Sequence, residues 1–135
     1  CTGGQIGLPE VTLGVLPGTG GTQRLPRLIG KARALDMMIT GRTISPEEAK
    51  DIGLINDVCE GDALEFAKEY AAKLNAGATR AISLIKVAVQ EGTEMALNNG
   101  LALERELQNR LFVTEDAQEG LLAFIEKRKP EFKGR

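Results

Sequence analysis

The chain has 135 residues with 42% apolar and 27% charged side chains, enough for one ordinary globular core, and a formal net charge of −2 that argues against broad nucleic-acid binding. It contains no histidine, which removes Ser-His-Asp and Cys-His catalysis and histidine metal sites and leaves carboxylates as the acid–base candidates. Only Cys1 and Cys59 could carry thiol chemistry, and their spacing suggests neither a zinc site nor a disulfide framework, so no metal site is expected and Cys59 reads as a small buried hydrophobe.

From the N-terminus, CTGGQ carries no periodic signal, and there is no initiator methionine, signal or transit pattern. A short strand is expected at Gln5 to Thr12, carrying Glu10, followed by a loop with four glycines between Gly14 and Gly21. A side-chain-free turn into a helix lets backbone N–H groups approach a ligand, and the helix dipole favours negative charge there. A carboxylate and an amide cluster could thus share one site, although an isolated glutamate is more often a solvated side chain and a glycine-rich turn more often a mere connection. The turn is no nucleotide loop: the P-loop lysine is missing, and Gly18-Thr-Gly20-Gly21-Thr-Gln23 lacks the final small residue of the dinucleotide fingerprint.

The pattern then predicts a helix from Thr22 to Leu28 interrupted by Pro26 and capped by Gly30. Another is predicted from Ala32 to Thr40, with Ala34, Leu35, Met38 and Ile39 on its apolar side and Gly41 at its end. Ser45-Pro-Glu-Glu48 is a helix start: serine caps, proline suits the first helical position and Glu48 can close a capping box. That helix should end near Gly53, before an alternating strand at Leu54 to Glu60.

Beyond Gly61 the chain reads as nearly continuous helix. Asp62 caps a packing helix with Ala63, Phe66, Ala67, Tyr70, Ala71 and Leu74 on one face. Thr79 to Gln90 is apolar over so wide an arc that burial on several sides is expected. Met95 to Phe112 carries a stripe of Leu97, Leu101, Leu107 and Leu111, and Glu115 to Lys127 one of Ala117, Leu121, Phe124 and Ile125. Glu126 to Arg135 holds five basic and two acidic residues, a frayed solvated tail or a grip for an anion. No apolar run approaches the ~20 residues of a membrane span. Four amphipathic helices behind two short strands make a poor closed domain, which implies further chain or obligatory partners.

Several segments carry a resemblance: Leu8-Pro-Glu10-Val, Gly14-Val-Leu-Pro-Gly18-Thr-Gly-Gly-Thr-Gln-Arg-Leu25, Leu35 through Gly41, Ile44-Ser-Pro-Glu-Glu-Ala49, Gly53-Leu-Ile, Glu119-Gly120 and Phe124-Ile-Glu-Lys-Arg-Lys129. With these the chain resembles the crotonase, or enoyl-CoA hydratase/isomerase, superfamily from Gln5 onward, over about the C-terminal half of a member. The resemblance implies an α/β crotonase-like fold (a ββα spiral), here its predominantly helical C-terminal half. Residues 1–76 would be core with the active-site loop, and 77–135 a helical trimerisation region.

The implied activity is that of a 2-enoyl-CoA hydratase, a lyase of the fatty-acid β-oxidation type, acting on acyl-CoA thioesters through an enolate held by two backbone N–H groups. No cofactor is implied, since coenzyme A is part of the substrate. Glu10 matches the second of two glutamates that hold and activate water, and the apolar neighbours Ile6, Leu8 and Val11 would desolvate it. Gly18, at the helix start, matches the position whose N–H bonds the attacking water or the thioester, its missing Cβ permitting the approach. Phe124 and Lys127 match positions that bind the adenine and phosphates of coenzyme A held by a neighbouring subunit. Phe112 matches one near the acyl or pantetheine channel, or is simply core.

The family's other glutamate and its oxyanion-hole donors would lie upstream of Cys1. On this reading the 135 residues alone should be inactive. Two alternatives stand beside it: a Δ3,Δ2-enoyl-CoA isomerase, which needs only the carboxylate at Glu10, and a non-catalytic oligomerisation module. The expected partners are the thioester and further copies in a homotrimer or dimer of trimers, with no nucleic acid and no membrane. The setting would be bacterial cytoplasm or mitochondrial matrix.

Overall fold

A computed structural model of the chain describes residues 3–135. Cys1, with the start of the CTGGQ segment, lies outside the described residues. The chain divides into two compact units, one reaching Phe66 and the other Ala67–Arg135. The division thus falls inside a helix that precedes the boundary at 76/77 expected from the sequence.

In the first unit, β1 (Ile6–Gly7) pairs antiparallel with β2 (Thr43–Ile44), Ile6 opposite Ile44 and Gly7 opposite Thr43. The expected strand from Gln5 to Thr12 is therefore corrected: it stops after two residues, and Pro9–Leu13 forms a short 3₁₀ helix. Pro9 has no N–H to give a ladder, and Gly14 closes the turn in a left-handed conformation at φ 72°. Helices α1 (Gly21–Ile29) and α2 (Lys31–Thr40) follow, with Gly30 donating its N–H to Pro26 O and Gly41 to Met37 O.

The core of this unit consists of Leu25, Ile29, Ala34, Met37, Ile44 and Ala49, with Ile6, Leu8, Met38, Ile52, Leu54 and Ile55 packed at its margin. On α2 the buried side is Ala34 and Met37, whereas Leu35 and Ile39 face outward, a correction to the expected stripe. α3 (Pro46–Asp51) begins as expected, the Ser45 hydroxyl accepting the Glu48 N–H at 3.1 Å. The carboxylate of Glu48, however, accepts from Arg42 at 2.9 Å, and Arg42 also reaches Asp36 at 2.6 Å, so the box is closed only on the serine side.

Residues 54–60 form no strand. The N–H groups of Leu54 and Ile55 turn back onto the carbonyl of Ala49, and no neighbouring strand among the described residues offers a ladder. Cys59 is a free thiol, half-buried rather than buried. α4 (Ala63–Asn75) then runs from the Asp62 cap, whose carboxylate accepts the Leu64 N–H at 2.8 Å.

The second unit contains α5 (Thr79–Gly92), α6 (Leu97–Phe112) and α7 (Glu115–Glu126). α5 and α6 approach closely where Gly100 meets Gly92, a Cβ at Gly100 falling 3.2 Å from the Gly92 carbonyl oxygen. Burial here is the main departure from expectation: α4 and α5 have no buried residue, α6 buries Leu107, and α7 buries Asp116 and Ala123. The wide apolar arc of α5 is consequently covered only in part: Ala81, Ile82, Leu84 and Ala88 are half-buried, the helix lying against α6, whereas Ile85, 59% exposed, and Val89 remain open.

The C-terminal segment also differs from the frayed tail considered above. Both oxygens of Asp116 accept backbone N–H groups from it, Lys133 at 2.6 Å and Gly134 at 2.8 Å, and the Asp116 N–H donates to the Arg135 carbonyl. Phe132 packs over Gly120, where a Cβ would lie 3.4 Å from its ring. The tail is thus tied down along α7 by groups that water would otherwise compete for.

Candidate active site

Glu10 stands in the first turn of the 3₁₀ helix, and its carbonyl accepts the N–H groups of Gly14 and Val15. The side chain is half-buried, and its Oε2 is shut off from solvent with no hydrogen-bond partner among the described residues. An orphaned carboxylate oxygen is costly to bury and calls for an explanation, a reacting or ligand-binding role being a leading one. Of the neighbours expected to desolvate it, Ile6 and Leu8 are half-buried and Val11 is exposed.

The glycines of the following turn differ in what requires them. Gly20 caps α1 at φ 99°, a conformation that L side chains rarely adopt. At Gly21 a Cβ would stand 2.6 Å from Pro17 Cβ and 2.9 Å from Leu8 Cδ1. Gly18 needs neither freedom: its nearest neighbours would be Leu16 atoms at 3.8 Å, and it lies ahead of the cap rather than in the helix. It is exposed, and among the described residues its N–H has no hydrogen-bond partner. Glu10 and Gly18 belong to the same unit, and no hydrogen bond joins them.

Phe112, Phe124 and Lys127 belong to the second unit. Phe112 ends α6 and is exposed, lining an almost wholly apolar hollow with Ala81, Leu111, Leu121 and Phe132. Phe124 is 83% exposed on α7, and Lys127 caps that helix in a left-handed conformation at φ 55°. Neither aromatic is a core residue within this chain.

Sequence reasoning missed the ion pair that shapes this end. The guanidinium of Arg128 grips Glu119 with two bonds, Nη1 to Oε1 at 2.5 Å and Nη2 to Oε2 at 2.9 Å, and its Nε donates to Glu126 at 2.6 Å. Glu119 also accepts the Glu131 N–H at 2.8 Å. These bonds, the Arg128 fork first, hold the Glu119 carboxyl down at about 2. The available signal was the acidic pair Asp116 and Glu119, one helical turn apart, ahead of a basic tail. Among the described residues no group of three His, Cys, Asp or Glu side chains is placed to hold a metal ion.

Within the first unit the chain thus presents an acid on a tight turn and an exposed amide, and within the second an exposed aromatic and a cation on a terminal helix; a family match extends over residues 2–135. The chain belongs to the enoyl-CoA hydratase/isomerase family. It is 46% identical over 132 residues to the 2,3-dehydroadipyl-CoA hydratase of Escherichia coli K12, covering 97% of this chain and 52% of that protein. It is 47% identical over 129 residues to a probable enoyl-CoA hydratase of Mycobacterium leprae, covering 95% of this chain and 50% of that one.

Among solved structures, an enoyl-CoA hydratase from Geobacillus kaustophilus superposes with a TM-score of 0.92 at 60% identity, over 98% of this chain and 50% of that chain. One from Bacillus anthracis gives 0.87 at 45%, over 97% and 51%. The fold is the crotonase fold, of which this predominantly helical chain spans about half the length of the relatives it matches. No helix among the described residues is long and apolar enough to cross a membrane, and the relatives include bacterial proteins and a mitochondrial hydratase of Pongo abelii.

Proposed function

We propose that the protein carrying this chain is an enoyl-CoA hydratase, adding water across the 2,3-double bond of an enoyl-CoA thioester. The observation that carries the proposal is the buried, partnerless Oε2 of Glu10, an acid whose proton-transfer oxygen is spared from structural hydrogen bonding. In the forward direction the water oxygen bonds to C3, the double-bond electrons move toward the thioester carbonyl, and Glu10 delivers a proton to C2. The water proton restores the carboxyl. The free N–H of Gly18 bonds the attacking water or the thioester oxygen, where charge develops.

Phe124 and Lys127 take the adenine and phosphates of coenzyme A, the lysine serving as a compact positive charge, and Phe112 flanks the acyl or pantetheine channel. The chemistry calls for no separate cofactor, coenzyme A being part of the substrate. The uncovered faces of α5 to α7 support a homotrimer or a dimer of trimers, with the coenzyme site shared between neighbours. A bacterial cytoplasmic or mitochondrial-matrix setting accords with the relatives.

The test is hydration of crotonyl-CoA by the full-length protein, followed by loss of the conjugated-thioester absorbance. Glu10→Gln should lower kcat by about 10²–10⁴-fold, the usual scale of a positioned acid–base group. An unchanged kcat would remove Glu10 from the mechanism. Conversion of a 3-enoyl-CoA to the 2-enoyl isomer without hydration would replace the hydratase with the isomerase that needs only Glu10.

A further inference from the structure

Lys127 holds a backbone conformation that glycine usually fills, and among the described residues it is the non-glycine residue with positive φ. What holds it there is visible on either side. Its N–H donates to the end of α7, and the next N–H, of Arg128, returns to the Ala123 carbonyl at 3.0 Å. Arg128 then forks onto Glu119, one α7 face away, while its Nε takes the carboxylate of Glu126. Both residues flanking Lys127 are therefore fastened by one guanidinium, and the lysine's backbone is held by a clasp that its own side chain does not join.

The same clasp has an electrostatic consequence. Arg128 occupies the carboxylates of both Glu119 and Glu126. The Lys127 ammonium is left without a carboxylate partner among the described residues. Were Arg128 absent, either acid could neutralise Lys127, and an anionic ligand would have to displace it. A planar fork suits this sequestration better than an ammonium, because it satisfies two carboxylates at once. The depressed Glu119 carboxyl accords with an ion pair that stays closed over the physiological range.

We propose that Glu119, acting through Arg128, is the positioning residue that aims Lys127 at the phosphate-bearing end of the acyl-CoA, while Arg128, by occupying Glu119 and Glu126, keeps the ammonium uncompensated. The proposal rests on the reading of Lys127 as a coenzyme A contact. It also extends the set of residues that recognise the thioester from those that touch it to a pair that does not.

The experiment compares the full-length enzyme with Lys127→Ala, Glu119→Gln and Arg128→Lys, using crotonyl-CoA and the crotonyl thioester of pantetheine, which lacks the nucleotide and its phosphates. Lys127→Ala should raise KM for crotonyl-CoA about tenfold, the scale of one charge-assisted bond. Glu119→Gln and Arg128→Lys should each raise it several-fold, with kcat unchanged and KM for the pantetheine thioester unmoved. A KM for crotonyl-CoA that rises in Lys127→Ala but stays normal in both clasp variants would overturn the positioning role and leave Lys127 as a ligand. A normal KM in Lys127→Ala would instead overturn the reading of Lys127 itself. Parallel losses with both thioesters, or a fall in kcat, would show general damage and also reject the proposal. Arg128→Lys retains the charge, so it guards against a Glu119→Gln protein that does not fold.

Discussion

Within the turn Gly18 to Gly21, glycine is present for three separate reasons. Gly20 supplies a left-handed cap at φ 99°, Gly21 avoids a 2.6 Å collision with Pro17, and Gly18 answers to no constraint inside the chain. For the last, the proposed approach of the substrate to its N–H would supply the reason. Gly18→Ala should therefore leave unfolding free energy within about 0.5 kcal/mol of the parent, as for a surface change that strains nothing. It should nevertheless lower kcat/KM in the full-length protein. Gly21→Ala should cost about 1–3 kcal/mol in urea unfolding, because a methyl has to be forced between Leu8 and Pro17. Equal stability effects at the two positions would contradict this division. Glu10 is legible in the sequence as a candidate by residue type and resemblance, but its orphaned oxygen is not, since the burial of one atom depends on how the surrounding chain packs and not on residue type.

Local signals foretold the elements well where a helix terminus is built from neighbours. Ser45 and Glu48 are three apart, and the bond between the Ser45 hydroxyl and the Glu48 N–H at 3.1 Å was readable from that spacing. Thr114 does the same for α7, accepting the Ala117 N–H at 3.1 Å while nearly buried. Thr114→Ala should cost about 1 kcal/mol, measurable by thermal or denaturant unfolding. The strands at Gln5 to Thr12 and Leu54 to Glu60 failed for the opposite reason. Alternation alone makes no strand, and among the described residues only Thr43–Ile44 offered a ladder, for two residues.

The tail along α7 was equally illegible, because its bonds join Asp116 to residues 17 and 18 positions away. Its acid response follows from Glu119, whose folded-state carboxyl titrates at about 2, below the ordinary range of a glutamate. A depressed carboxyl contributes stability in full above its unfolded value of about 4.3, and the contribution fades as pH falls toward the folded value. Amide exchange at Glu131 should thus stay slow above about pH 4.5 and accelerate between there and about pH 2. Glu119→Gln should abolish that pH dependence.

Across the molecule, apolar side chains lie uncovered on helices whose sequence marks them as packing faces. Ile85 on α5, Leu97 and Leu101 on α6, and Leu121 and Ile125 on α7 are all exposed. Apolar side chains exposed on so many packing faces call for a partner, and the proposed homotrimer would supply one. Burying a side chain of this size contributes about 1.5–3 kcal/mol. Ile85→Asp should accordingly weaken self-association of the full-length protein by at least about tenfold in sedimentation velocity. Unaltered assembly would exclude α5 from the interface. The 135 residues alone should show no hydration of crotonyl-CoA, since the chain supplies one acid and spans 52% of its Escherichia coli relative.

By itself the sequence determined the helical segments, their caps, the family and the candidacy of Glu10 and Gly18, all of which depend on residue types a few positions apart. Only the tertiary structure decided which apolar faces are covered, that Glu10 keeps a partnerless oxygen, and that Arg128 clasps Glu119 beside Lys127. Those outcomes depend on contacts between residues distant in the chain, for which no local spacing rule exists.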